Sequence, residues 1–222
     1  MNIQKFLQLL LVALICAASL QAQEKFPYWK EVQVFKTQDS LHFPEPGQIL
    51  FIGSSSFTKW TDVQEYFPKY KILNRAFGGS SLPDLIRYRY DVVYPYEPKQ
   101  IVMYCGENDF AASDTVSVQT VVSRFQLLFE LIRFKYRNTP FAYVSMKPSP
   151  SRVHLMPKYV EANSIIKKYL ATKKKTAFID VYSKMLNTDG SPMTDIFVED
   201  RLHMNAKGYA IWKKILQPYL LK

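Results

Sequence analysis

Cysteine and histidine are scarce in this chain. Of its 222 residues two are cysteine, Cys16 and Cys105, and three are histidine, His42, His154 and His203. Cys16 falls in a leading apolar stretch expected to be removed. Cys105 is then the only thiol of the mature chain, which excludes an intramolecular disulfide and a Cys-rich zinc site. Three histidines supply no His-rich ligand set, which argues against metal-dependent phosphodiester chemistry. Beyond the leading stretch no run approaches the roughly 20 apolar residues of a membrane-spanning helix. Internal repeats and low-complexity linkers are missing as well. Cys105 follows an apolar run and reads as a buried small hydrophobe rather than a reactive thiol.

The leading stretch has the grammar of an export signal. Lys5 supplies a positive start, Phe6 to Leu20 an apolar body, and Gln21-Ala22-Gln23 a small residue at a cleavage point. Residues 1–22 are therefore expected to be a signal peptide, and the mature protein periplasmic or secreted. A lipoprotein anchor at Cys16 fits less well, because bulky Ile15 precedes it. The roughly 200 remaining residues fit one domain with a full core. Residues 23–46 read as a lead-in packing on that domain, and 47–222 as the domain itself. The net charge of +10 includes Lys5 and suits contact with polyanions, without pointing to nucleic acid. Lys173-Lys174-Lys175 reads as the solvated end of a helix. The 15 tyrosines, 15 phenylalanines and three tryptophans are first a core ingredient, though such rings also line sugar or acyl clefts.

Short apolar runs alternate with longer helical patterns, which is the signature of an α/β domain with a parallel sheet. The strand candidates are Gln48–Ile52, Tyr70–Leu73, Gln100–Tyr104, Phe141–Ser145 and Thr176–Val181, their cores near-continuous apolar runs as in strands covered on both faces. Helical spacing appears over Val118–Arg137, Tyr159–Ala171 and Ala206–Leu216. Ligands of such sheets bind beyond the C-terminal ends of the strands. After the first strand comes Gly53-Ser54-Ser55-Ser56, after the second Phe77-Gly78-Gly79-Ser80, after the third Gly106-Glu107-Asn108-Asp109. Asp200-Arg201-Leu202-His203 precedes the last helix.

Taken singly these are turns, loops and helix caps. Together they supply what acyl transfer needs. A serine becomes a nucleophile when a base takes its proton. His42 lies in the lead-in and His154 in the Pro-rich stretch Lys147–Pro157, read as ordinary solvated loop. His203 has a carboxylate three residues earlier, and Asp200 can hold one ring nitrogen while the other acts as base. The competing reading of Asp200 is a helix N-cap. Glycine N–H groups, the Asn108 amide and the Ser55 N–H are candidate donors to a developing oxyanion.

The four blocks, in this order and spacing, resemble those of the SGNH hydrolases, the GDSL-like esterase/lipase family, over nearly the whole mature chain. The resemblance implies a three-layer α/β/α flavodoxin-like fold around a parallel five-stranded sheet. It implies a catalytic triad of Ser55, His203 and Asp200, and an oxyanion hole of the Ser55 N–H, the Gly79 N–H and Asn108, with no metal and no organic cofactor. One position departs: Ser54 stands where the family carries aspartate. This leaves Ser54 and Ser56 as other candidate nucleophiles, with position in the block favouring Ser55. An α/β-hydrolase elbow fits poorly, because Phe57 stands where its second glycine belongs. The expected activity is hydrolysis of short-chain, especially acetyl, esters on a small molecule or glycan. The chain has no long apolar lid of the kind a long-chain lipase uses. The alternatives are a short-chain lipid acylhydrolase, or a catalytically weak carbohydrate-binding module, to which only Ser54 points.

Overall fold

Strand and helix alternate along the described residues, 26–222, of the protein's computed structural model. The expected signal, with Lys5 and Cys16, lies outside them. Helix α1 (Trp29–Leu41) leads into β1 (Ile49–Gly53), the short α2 (Ser55–Thr58) and α3 (Val63–Tyr66), then β2 (Ile72–Asn74) and α4 (Leu82–Val92). β3 (Gln100–Tyr104), α5 (Glu107–Ala111), α6 (Val118–Lys135), β4 (Phe141–Val144), α7 (Met156–Ala171), β5 (Thr176–Ile179) and α8 (Ala206–Leu216) complete it. The five strands form one parallel sheet in the order β2-β1-β3-β4-β5. The chain starts inside the sheet, steps out to β2 and returns past β1 to β3. That reversal opens a crevice at the C-terminal ends of β1 and β3.

Alternation along each strand builds two cores, one on each face of the sheet. Leu50, Ile52, Ile101, Met103, Phe141 and Tyr143 pack against residues of α1, α4, α6 and α7. Ile49, Phe51, Val102, Tyr104, Ala142 and Val144 meet Phe57, Trp60, Tyr209 and Trp212 on the other side. Each fully buried Val, Leu, Ile, Phe or Met contributes about 1.5–3 kcal/mol. The strands match expectation to within one or two residues. β2 begins at Ile72 because the Tyr70 carbonyl is taken by the Gln64 amide at 2.7 Å. β5 ends early because the Val181 N–H turns to Ser145 Oγ at 3.0 Å.

Helix α1, within the lead-in, is tied to the sheet domain. Val32 is buried, Arg75 pairs with Asp39, Tyr96 donates to Asp39 at 2.6 Å, and Tyr88 donates to the Pro27 carbonyl at 2.8 Å. Among the described residues no helix is long and apolar enough to cross a membrane. No group of three or more His, Cys, Asp or Glu among them is placed to hold a metal ion.

Candidate active site

Ser55 owes its position to the glycine before it. β1 ends at Gly53, whose φ is +137°, and a Cβ there would stand 1.9 Å from the Tyr104 carbonyl oxygen of β3. Only glycine lets the chain leave the sheet so close to its neighbour. The Ser54 N–H closes the turn on that carbonyl at 2.9 Å, and Ser55 opens α2. Phe57 then stacks on Phe51, with centroids 4.6 Å apart, and meets Trp212 of α8 edge-on at 5.9 Å. Tyr209 of α8 donates to the Ser56 carbonyl at 3.0 Å. The helix that follows His203 is thus packed directly on the turn that presents Ser55.

Asp200 organises the loop before α8. Its Oδ1 accepts the backbone N–H groups of Leu202 at 2.9 Å and His203 at 2.8 Å, while Oδ2 lies 2.5 Å from His203 Nδ1. His203 Nε2 lies 3.0 Å from Ser55 Oγ, across 148 residues of chain. A carboxylate can only accept, so Nδ1 carries the proton and Nε2 faces the serine hydroxyl with its lone pair. Desolvation pushes the Asp200 carboxyl pKa upward, but the donors of His203 and Leu202 outweigh it and hold it near about 2. The cap of α8 is Asn205, which accepts from the N–H of Lys207 at 2.9 Å, so the helix-cap reading of Asp200 is replaced by this turn.

Of the three candidate oxyanion donors, Asn108 shares a cleft with Ser55, and Gly79 lies beside the Asn108 amide. The N–H groups of Ser55 and Gly79 have no hydrogen-bond acceptor among the described residues. A Cβ on Gly79 would lie 3.7 Å from Asn108 Nδ2 and 3.5 Å from the Tyr28 hydroxyl. Asn108 Nδ2 donates to Ser54 Oγ at 2.7 Å and to the Ser80 carbonyl at 3.1 Å. Ser54, the position that departs from the family, therefore holds the Asn108 amide, while Ser56 is buried under α8. Asp109, next in the block, takes the Leu82 N–H at 2.9 Å and Arg124 at 2.9 Å, bracing α4 and α6.

His42 and His154 are exposed and make no contact with this centre. Cys105 is a free, buried thiol whose pKa burial pushes up. The stretch Lys147–Pro157, expected to be solvated loop, begins buried instead, with Lys147 1 % and Ser149 0 % exposed. The reason is Glu107, which accepts the Lys147 N–H at 2.8 Å and its ammonium at 3.2 Å, with Tyr104 also on the carboxylate. Burial pulls the Lys147 pKa down and Glu107 opposes that pull. Arg152, in the 3-10 turn Pro150–Leu155, donates to Asn108 Oδ1 at 3.0 Å. Tyr28 enters from the N-terminal side with φ +64°, its ring so close to Gly78 that a Cβ there would stand 2.6 Å away. No motif marks Arg152 or Tyr28, since both reach the site through tertiary packing. Ser54, Ser55, Tyr104, Glu107, Asn108, Lys147, Arg152 and Leu202 line a narrow cleft of about 10 Å³.

Residues 52–211 match the model of the GDSL-like Lipase/Acylhydrolase family. No curated protein matches the chain significantly. Solved structures do. A Streptococcus pneumonia protein named for platelet activating factor is 22% identical, with TM-score 0.75 over 96% of this chain and 99% of that one. A GDSL-like lipase from Bacteroides thetaiotaomicron is 19% identical, with TM-score 0.71 over 85% and 96%. An acetyl xylan esterase is 17% identical, with TM-score 0.66 over 78% and 100%. At these identities the likeness is one of fold.

Proposed function

The chain belongs to the GDSL-like lipase/acylhydrolase family, and from that premise we propose that it is an exported serine esterase removing short acyl groups, acetyl foremost, from carbohydrate. The observation that carries this reading is the run Ser55 Oγ to His203 Nε2 at 3.0 Å and His203 Nδ1 to Asp200 at 2.5 Å. Ser55 Oγ attacks the ester carbonyl carbon as its proton passes to His203 Nε2. Asp200 holds the imidazole tautomer and stabilises the imidazolium. The carbonyl oxygen, now negative, takes the N–H groups of Ser55 and Gly79 and one N–H of Asn108. A neutral hydroxyl is a weaker acceptor than an oxyanion, so the Asn108 hydrogen now on Ser54 Oγ is surrendered to the stronger partner. Collapse expels the alcohol, which leaves with the proton from His203. Water, activated by the same imidazole, then attacks the acyl carbonyl and frees the carboxylic acid and Ser55.

The cleft beside Ser55 is narrow and walled by the buried side chains of Tyr104, Glu107 and Lys147, which supports a short acyl group over a long one. The acetyl xylan esterase that shares the fold lends the carbohydrate part its support, and the apolar leader supports export. The test is a screen of the mature protein on acetylated xylo-oligosaccharides and p-nitrophenyl esters of increasing chain length. The expected result is turnover that is highest for acetyl and collapses by octanoyl; a preference for long chains, or no turnover at all, sinks the reading.

A further inference from the structure

The Asn108 amide is held from both ends. On the nitrogen side stand Ser54 Oγ at 2.7 Å and the Ser80 carbonyl at 3.1 Å, and on the oxygen side Arg152 Nη1 at 3.0 Å. A guanidinium can only donate. Its presence forces the amide oxygen outward and the NH₂ toward Ser54 and the nucleophile, removing the flipped rotamer in which oxygen would face an oxyanion. A charge-assisted bond to Oδ1 also polarises the amide and makes its hydrogens stronger donors.

Glu107 Oε2 is 3.8 Å from Arg152 and accepts Lys147 Nζ at 3.2 Å, and the Asp200 carboxylate also acts on Lys147, so the two cations are matched by two carboxylates. The Arg152 side chain is 18% exposed, the Glu107 side chain 8% and that of Lys147 1%, so the bond from Arg152 to the amide is little screened by water. The backbone carrying Arg152 is fixed as well. Arg152 N–H bonds the Ser149 carbonyl at 3.1 Å, and the Ser151 N–H bonds the Arg201 carbonyl, within the Asp200–His203 loop, at 3.1 Å. One short turn therefore touches both the triad loop and the amide donor.

We propose that Arg152 is the positioning residue of the oxyanion hole, fixing and polarising the Asn108 amide through its bond to Oδ1 without itself reaching the reacting atoms. This rests on the esterase reading above. Asn108 deletion is expected to cost a hundredfold or more in kcat. Arg152→Ala is expected to cost about 10- to 100-fold in kcat, less than loss of the donor itself, with KM changed little. Arg152→Lys should recover only part, since an ammonium keeps the charge without the planar fork.

The experiment compares parent, Arg152→Ala and Arg152→Lys on p-nitrophenyl acetate, with thermal melts and with guanidinium or methylammonium added at low millimolar concentration. Partial rescue of Arg152→Ala kcat by guanidinium, more than by methylammonium, is expected, because a purely structural role would not respond to either. Arg152→Ala with kcat within twofold of the active parent, or a loss matched by its unfolded fraction with no rescue, overturns the positioning role alone. A parent without esterase activity overturns the functional reading, and the positioning role with it.

Discussion

Gly79→Ala separates fold from chemistry at a single methyl. The φ of Gly79 is outside the left-handed region, and a Cβ there meets its nearest neighbours, the Tyr28 hydroxyl and Asn108 Nδ2, at 3.5 and 3.7 Å, ordinary contact distances. The backbone can thus accept alanine without strain. Replacing glycine at such a position stabilises a protein by about 0.4–1 kcal/mol through the unfolded chain, worth about 1–4 °C in Tm for a domain of this size. The same methyl would lie 3.7 Å from the Asn108 amide and 3.5 Å from the Tyr28 hydroxyl, in the space where the proposed mechanism puts the substrate oxygen. Loss of one oxyanion donor costs about 2.7–4 kcal/mol, or about a hundredfold to a thousandfold in kcat. Stability and activity should therefore move in opposite directions. The assay is steady-state hydrolysis of p-nitrophenyl acetate alongside a thermal melt of the same preparation. A kcat within threefold of the parent refutes the placement of Gly79 in the oxyanion hole. A loss of kcat that tracks a fall in Tm refutes the claim that the methyl fits.

Gly53→Ala is the opposite case: its Cβ would stand 1.9 Å from the Tyr104 carbonyl. It should lower unfolding stability in urea by more than about 3 kcal/mol, and a smaller change would mean that β1 and β3 separate easily. Asp200→Asn keeps the shape but loses the tautomer control, so kcat should fall on the order of ten-thousandfold, with the variant folded but melting below the parent at neutral pH. The Asp200 carboxyl is held down at about 2 in the folded protein. The stability its ionisation contributes is fully present above about pH 4, the ordinary aspartate value, and is lost as pH falls through about 2. The Tm difference between parent and Asp200→Asn should narrow over that interval, and a difference that narrows instead near neutral pH would point to another group.

Much of the sheet was legible because its central strands are buried on both faces and carry unbroken apolar runs, as in Ile49–Ile52 and Ile101–Tyr104. Helix α4 escaped, although its start is written in Ser81 and Asp84, whose backbone N–H and carboxylate meet at 2.9 Å, with Pro83 beside them. Its buried face, Leu82, Leu85, Tyr88 and Val92, stands at helical spacing with Arg87 and Tyr90 exposed opposite it, so the pattern was present in the sequence but short, spanning only Leu82–Val92. The residues of the four blocks were readable because each sits at a strand end or just before a helix, where the fold must turn. Arg152 and Tyr28 were not. Each reaches the centre from a stretch with no periodic pattern, and only the Glu107–Lys147 pairing and the packing of Tyr28 over Gly78 bring them in. The assignment of Lys147–Pro157 to solvent failed for the same reason: a lysine reads as surface unless its buried carboxylate partner is known.

The most direct test of the central claim is covalent labelling of the mature protein with a fluorophosphonate, followed by peptide mass mapping. One equivalent on Ser55, lost in Ser55→Ala together with esterase turnover, is the expected result. Absence of label, label on Ser54 or Ser56, or a Ser55→Ala variant that hydrolyses p-nitrophenyl acetate at the parental rate would contradict the assignment of Ser55 as the nucleophile charged by His203.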